Sequence, residues 1–210
     1  MSTLSVDKNR QELFGLLQAD DLDISLLGAF QVRVAGRDIV ESDWPLRRAR
    51  NLVKLLALAT GHQIHREQIV DFLWPEQTQD AAANNLHKAL HVARHVLEPN
   101  LPGKAISRYI QLQGELVVLR APGQLRVDVE IFRALAETAY ASDAPEAYLK
   151  ALSVYVNDLL PQDPYEDWAM SPPRTDQTSQ AGTVASIGSS VRGAQRDRFR
   201  HTNTPANRRS

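Results

Sequence analysis

Between Asn84 and His95 the chain places seven hydrogen-bonding side chains within twelve residues: Asn84, Asn85, His87, Lys88, His91, Arg94 and His95. Two chemistries suit such a set. His87, His91 and His95 recur at i, i+4 and i+8, so two of them could grip a metal ion from one helix face. The chain has no Cys, however, Glu67 and Glu98 are not spaced to complete a ligand set, and there is no HExxH arrangement. No metal site and no cofactor are therefore expected. Catalysis is equally unsupported: there is no Gly-x-Ser-x-Gly elbow, no GxxxxGK phosphate loop and no acid pair beside a base. The second chemistry is recognition of base edges and phosphates.

That second reading gains from the opposite side of the same segment. Leu86, Leu90, Ala93 and Leu97 step by four, three and four, which makes one helical stripe apolar while the donors occupy the other. An α-helix fits the major groove of DNA, where each base pair shows a distinct donor and acceptor pattern. Arg94 suits a guanine edge or a phosphate. Asn84 or Asn85 suits an adenine edge or the backbone near the helix N-terminus. Lys88, His87, His91 and His95 supply the remaining reach, and protonation of the histidines near neutrality would favour a polyanion. The plain alternative is the solvated face that any amphipathic surface helix carries. Further upstream, Arg47, Arg48 and Arg50 crowd a helix N-terminus, against the dipole. Either an external phosphate or ion pairing with Glu41 or Asp43 answers that charge. Arg108 and Tyr109, just before a hairpin turn, fit a wing touching the backbone or minor groove, with Tyr109 alternatively a core residue.

The elements that must position these residues follow from periodicity. Residues 1–23 are polar and read as a loose leader. Alternation from Ile24 to Val34 predicts a half-buried strand, and Ile39–Val40 a short partner after the turn at Ala35-Gly36. Arg47 to Thr60 predicts a helix with Arg47, Asn51 and Lys54 on its polar side and Gly61 as its C′ glycine. Arg66 to Trp74 predicts a second helix that Pro75 stops. Asp80 is placed to N-cap the third, 81–97. Ile106–Leu112 and Leu116–Arg120 predict two strands around Gly114-Glu115, a pair suited to a type II′ turn. After Val127-Asp128, the stretches 129–140 and 145–156 predict an acidic helical hairpin. From Ser171 onward only Val184, Ile187, Val191 and Phe199 are large apolar groups among forty residues, so that tail is expected to be disordered.

Bulk composition is permissive. At 210 residues with 43% hydrophobic content the chain can bury a core or two. No run of 18 apolar residues spans a membrane, no secretory signal is visible, and the lack of Cys suits a cytoplasmic protein. The net charge of −1 conceals blocks of opposite sign. Residues 128–170 carry nine Asp and Glu against Arg133 and Lys150, whereas 82–112 carry Lys88, Arg94, Lys104 and Arg108 against Glu98. A polyanion would meet the second block first.

Several stretches resemble one bacterial family. Ser25-Leu26-Leu27-Gly28-Ala29-Phe30-Gln31-Val32, then Trp44 with Arg47-Arg48-Ala49-Arg50 and Leu55-Leu56-Ala57-Leu58, then Phe72-Leu73-Trp74-Pro75, resemble the opening of the activators called antibiotic regulatory proteins. Val127-Asp128-Val129-Glu130-Ile131-Phe132, and later Leu159-Leu160-Pro161 with Tyr165-Glu166-Asp167-Trp168, resemble the bacterial transcriptional activation domain that follows in that family. The resemblance covers roughly 24–169. It implies an α+β winged helix-turn-helix of OmpR/PhoB type at 24–122 and a partial all-α, tetratricopeptide-like activation domain at 127–170. A role in packing for Asp163, Glu166 and Asp167 goes with it. The implied partners are double-stranded DNA, RNA polymerase and a second copy on DNA, with no membrane and no enzyme activity. No receiver domain is expected ahead of the winged helix, and the activation domain is expected to be truncated, since Ser171-Pro172-Pro173 stands where further helices would follow. The reading of another class is a protein-interaction module whose winged helix serves dimerisation.

Overall fold

The computed structural model describes residues 21–163 apart from 104, 143 and 156. The leader before residue 21, the tail from Ser171 and the Tyr165–Trp168 motif lie outside the described residues. The chain order is β1 (Leu22–Ser25), β2 (Gln31–Val34), β3 (Arg37–Ile39), α1 (Arg47–Leu58), β4 (Gln63–His65), α2 (Arg66–Leu73), α3 (Gln79–Leu97), β5 (Ile110–Gln113), β6 (Leu116–Leu119), β7 (Leu125–Val127), α4 (Asp128–Ser142) and α5 (Pro145–Val154).

Hydrophobic alternation makes strands at both ends, but the long strand expected over 24–34 is two. β1 begins at Leu22, inside the expected leader, and the chain reverses around Gly28 before β2 pairs back antiparallel, Ile24 opposite Val32. Gly28 has φ +103, a backbone conformation that L side chains rarely adopt. β3 extends this sheet on one edge. On the other edge β7 pairs parallel to β1, Leu22 opposite Leu125 and Ile24 opposite Val127, giving the order β3-β2-β1-β7. Arg126 secures that pairing by donating from Nε to Asp23 at 2.5 Å and from Nη2 to Asp21 at 2.8 Å.

α1, α2 and α3 pack together, and the second sheet, β4-β6-β5, closes over them. The apolar face of α1 is buried as its pattern predicts, with Leu52, Val53, Leu55 and Leu56 fully enclosed. Two residues of its polar side are buried as well: Asn51 is 0% and Lys54 1% exposed. Of the three residues expected on that side, Arg47 alone is exposed. Lys54 Nζ lies 2.5 Å from Asp163 Oδ2 and 4.8 Å from the centre of the Phe30 ring. The helix ends at Ala59, with Gly61 two residues beyond in a 3-10 turn, so Gly61 is not the C′ residue. Likewise α3 starts at Gln79 after Thr78; Asp80 sits in its first turn, where a carboxylate still suits the dipole, and is not the cap.

The hairpin β5–β6 closes with Gln113 opposite Leu116 and Gly114 at φ +61. Glu115 has no positive φ, which makes the turn II′ in type, as the Gly-first pair suggests. The strand expected from Ile106 begins only at Ile110 because Ser107 turns the chain: its hydroxyl accepts from the N–H of Tyr109 and of Ile110.

α4 and α5 form the helical hairpin, and the residues after it return to the first sheet. Leu27 bridges to Leu159, and Leu160 N–H donates to the Leu26 carbonyl at 2.9 Å. Asp128, at the start of α4, accepts from the N–H of Leu26 at 2.8 Å and of Leu27 at 3.1 Å. The helical hairpin is therefore stitched to the sheet at its beginning and its end.

Candidate nucleic-acid interface

α3 is the element on which the candidate site stands. Its inner stripe is fully seated: Leu86, Leu90, Ala93 and Leu97 are no more than 6% exposed. The short α2 and the turn from Trp74 to Thr78 hold its N-terminal end, with Trp74 itself buried. At the far end Arg37 donates from Nη2 to the Val96 carbonyl at 2.8 Å, satisfying one of the last orphan acceptors.

On the outer face Asn84, His87, Lys88 and His91 are exposed, and Asn85, Arg94 and His95 are half-buried. At about 100° per residue, Asn84, Lys88, His91 and His95 fall on one narrow strip. The His91 and His95 rings lie 4.1 Å apart, and His95 Nδ1 is 2.9 Å from the His91 carbonyl oxygen. Among the described residues no group of three His, Cys, Asp or Glu side chains converges to hold a metal. Asn85 donates to Gln77 Oε1 at 2.6 Å, which ties it to the turn ahead of α3 and leaves Asn84 as the more available amide.

Arg94 is held differently from its neighbours. Its Nε donates to the Ile110 carbonyl at 3.1 Å, fastening α3 to the hairpin, and burial lowers its pKa against the opposing pull of Glu98. Arg108 is exposed and pairs with Glu98 at 3.2 Å. Tyr109 is 1% exposed, so it belongs to the core and leaves the contact set. Strand alternation does not account for this, since Ile110 beside it, where β5 begins, is buried too. On α1, Arg50 pairs with Glu41, which answers the charge internally rather than with phosphate. Arg47 stays exposed and Arg48 half-buried at the same helix start. Sequence reasoning passed over Gln111 and Arg120, which the hairpin joins through a 3.2 Å bond from Arg120 Nη1 to Gln111 Oε1. The signal for Gln111 was the polar alternation within β5, whereas Arg120 follows the end of β6.

The arrangement can do one thing chemically: present a row of donors and cations from a rigid helix, flanked by a hairpin. No helix among the described residues is long and apolar enough to cross a membrane.

Neither a family model nor a curated protein matches the chain. Among solved structures it is similar to EmbR of Mycobacterium tuberculosis, solved in complex with a low affinity phosphopeptide, with a TM-score of 0.62 and 17% identity. The alignment covers 84% of this chain and 45% of that one, so this chain spans under half the length of its structural relative. What the two share is the fold.

Proposed function

We propose that the chain is a sequence-specific, non-enzymatic DNA-binding regulator of transcription, working in the cytoplasm. The winged helix expected at 24–122 docks α3 in the major groove, with the β5–β6 hairpin near the sugar-phosphate backbone. The acidic helices within 127–170, a partial tetratricopeptide-like activation domain, contact RNA polymerase or a second copy bound to an adjacent half-site. One observation carries this reading: the buried back of α3 leaves Asn84, His87, Lys88 and His91 together on an open face. The fold shared with EmbR, and the resemblance to the antibiotic regulatory proteins, support it.

Asn84 and Lys88 separate base reading from phosphate contact. Asn84→Ala is expected to cost about 1–3 kcal/mol at one or two positions of a selected site and little on random DNA. Lys88→Ala is expected to weaken all sequences alike and to reduce the salt slope by about 1. Binding titrations on selected and random duplexes measure both; equal losses from both variants on both DNAs would defeat this division of roles.

The pairing of Arg50, Arg94 and Arg108 within the chain favours one other reading, a protein-interaction module whose winged helix serves dimerisation. Such a module would bind duplex DNA with no steep salt dependence.

A further inference from the structure

The helical hairpin meets the winged helix at a second polar seam, away from Lys54 and Asp163. His62, in the turn after α1, places Nε2 3.4 Å from Oε2 of Glu130 on α4. We propose that His62 and Glu130 form a proton-operated clamp that holds the α4–α5 hairpin to the winged helix while the imidazole is charged and relaxes when it is neutral.

The site is shaped for an imidazolium. The His62 side chain is only 15% exposed, and its backbone is held at φ +55, a left-handed conformation uncommon for a residue with a Cβ. The His62 N–H donates to the Ala59 carbonyl at 2.9 Å, which keeps the ring beneath the end of α1. Nδ1 is buried there with no hydrogen-bond partner, while the carbonyls of Leu56 and Ala57 close the same helix. We ascribe their influence to the negative end of the helix rather than to a formed bond. Glu130 is the charged group that acts on the ring; Arg133, one turn along α4, acts in turn on Glu130.

Burial alone would push the His62 pKa down, but the Glu130 contact, its charge and the α1 carbonyls outweigh it, and the net direction is up from 6.5. Bonding to His62 holds the Glu130 carboxyl below its usual value of 4.5, against the opposing effect of burial. A histidine whose folded pKa is raised stabilises fully below its unfolded value and loses that contribution as pH climbs through the folded one. A carboxylate with a lowered pKa contributes above its unfolded value and fails as pH falls through the folded one. The clamp is thus fully engaged between 4.5 and 6.5 and releases above that window.

The inference stands on this seam alone and is independent of any ligand of α3. The test uses the whole chain, with Glu130→Gln, and with His62→Asn because Asn tolerates the left-handed backbone. Thermal unfolding from about pH 6 to about pH 8.5 should show the native chain losing stability that neither variant loses. Over the same rise, amide protection of α4 and α5 should fall relative to α3 in the native chain alone. Parallel pH profiles in all three proteins would overturn the clamp. Should a variant not fold, an NMR titration of His62 in the native chain decides: a midpoint above the ordinary histidine value supports it, and one at or below that value refutes it.

Discussion

Lys54→Met, with Asp163 left in place, should cost roughly 3–5 kcal/mol of folding stability, the loss expected when one partner of a buried pair is removed. Lys54 and Asp163 have side chains only 1% and 2% exposed. Burial lowers the Lys54 pKa, with the charges of Arg50 and Arg47 adding to that effect, against the opposing bond and charge of Asp163. A lone Asp163 carboxylate, with its side chain 2% exposed, would have neither water nor cation. The double variant Lys54→Met/Asp163→Leu removes both charges and should recover most of the loss, because apolar replacement of a whole buried pair is often neutral or better. Urea unfolding of the three chains is the measurement. A Lys54→Met loss below about 1 kcal/mol, the range of exposed pairs, would mean that the pair is not sealed.

Asp128→Ala is the second large effect. Its carboxylate, on a residue 0% exposed, accepts from two backbone amides 101 and 102 residues earlier, at Leu27 and Leu26. Each orphaned buried donor costs roughly 1–3 kcal/mol, so a loss on the order of 3 kcal/mol is expected. Asp128→Asn keeps one acceptor and should lose less. Chemical denaturation with an unchanged slope against denaturant would attribute the loss to stability rather than to a changed unfolded state. Equal losses in the Ala and Asn variants would show that the hydrogen bonds are not the cause.

Local pattern makes α3, its apolar stripe and the Gly114 turn legible in the sequence. The four-three-four spacing of Leu86, Leu90, Ala93 and Leu97 has one meaning on a helix, and a glycine first in a two-residue loop has one preferred turn. Long-range pairing was not legible. β7 carries only Leu125, Arg126 and Val127, too short for any periodicity, and its place beside β1 is set by a partner a hundred residues away. Asn51 and Lys54 misled for the same reason. Amphipathic spacing cannot distinguish a polar stripe that meets water from one that meets Asp163, 109 residues later. In the candidate interface the residue types were visible, but their engagement was not: nothing local foretells that Arg94 spends its Nε on the Ile110 carbonyl, or that Arg50 pairs with Glu41. Tyr109 was open to both readings because it stands ahead of β5, where no strand periodicity fixes which way a side chain faces.

Ionic strength addresses the central claim most directly. If the open strip of α3 meets a phosphate-lined groove, affinity of the whole chain for duplex DNA must fall linearly in log–log form as salt rises from about 50 to about 200 mM, with a slope of several units set by the phosphates neutralised. Fluorescence anisotropy on a random duplex of two or three helical turns gives that slope. A steep negative line is the predicted result, and affinity that is absent or indifferent to salt would contradict the account.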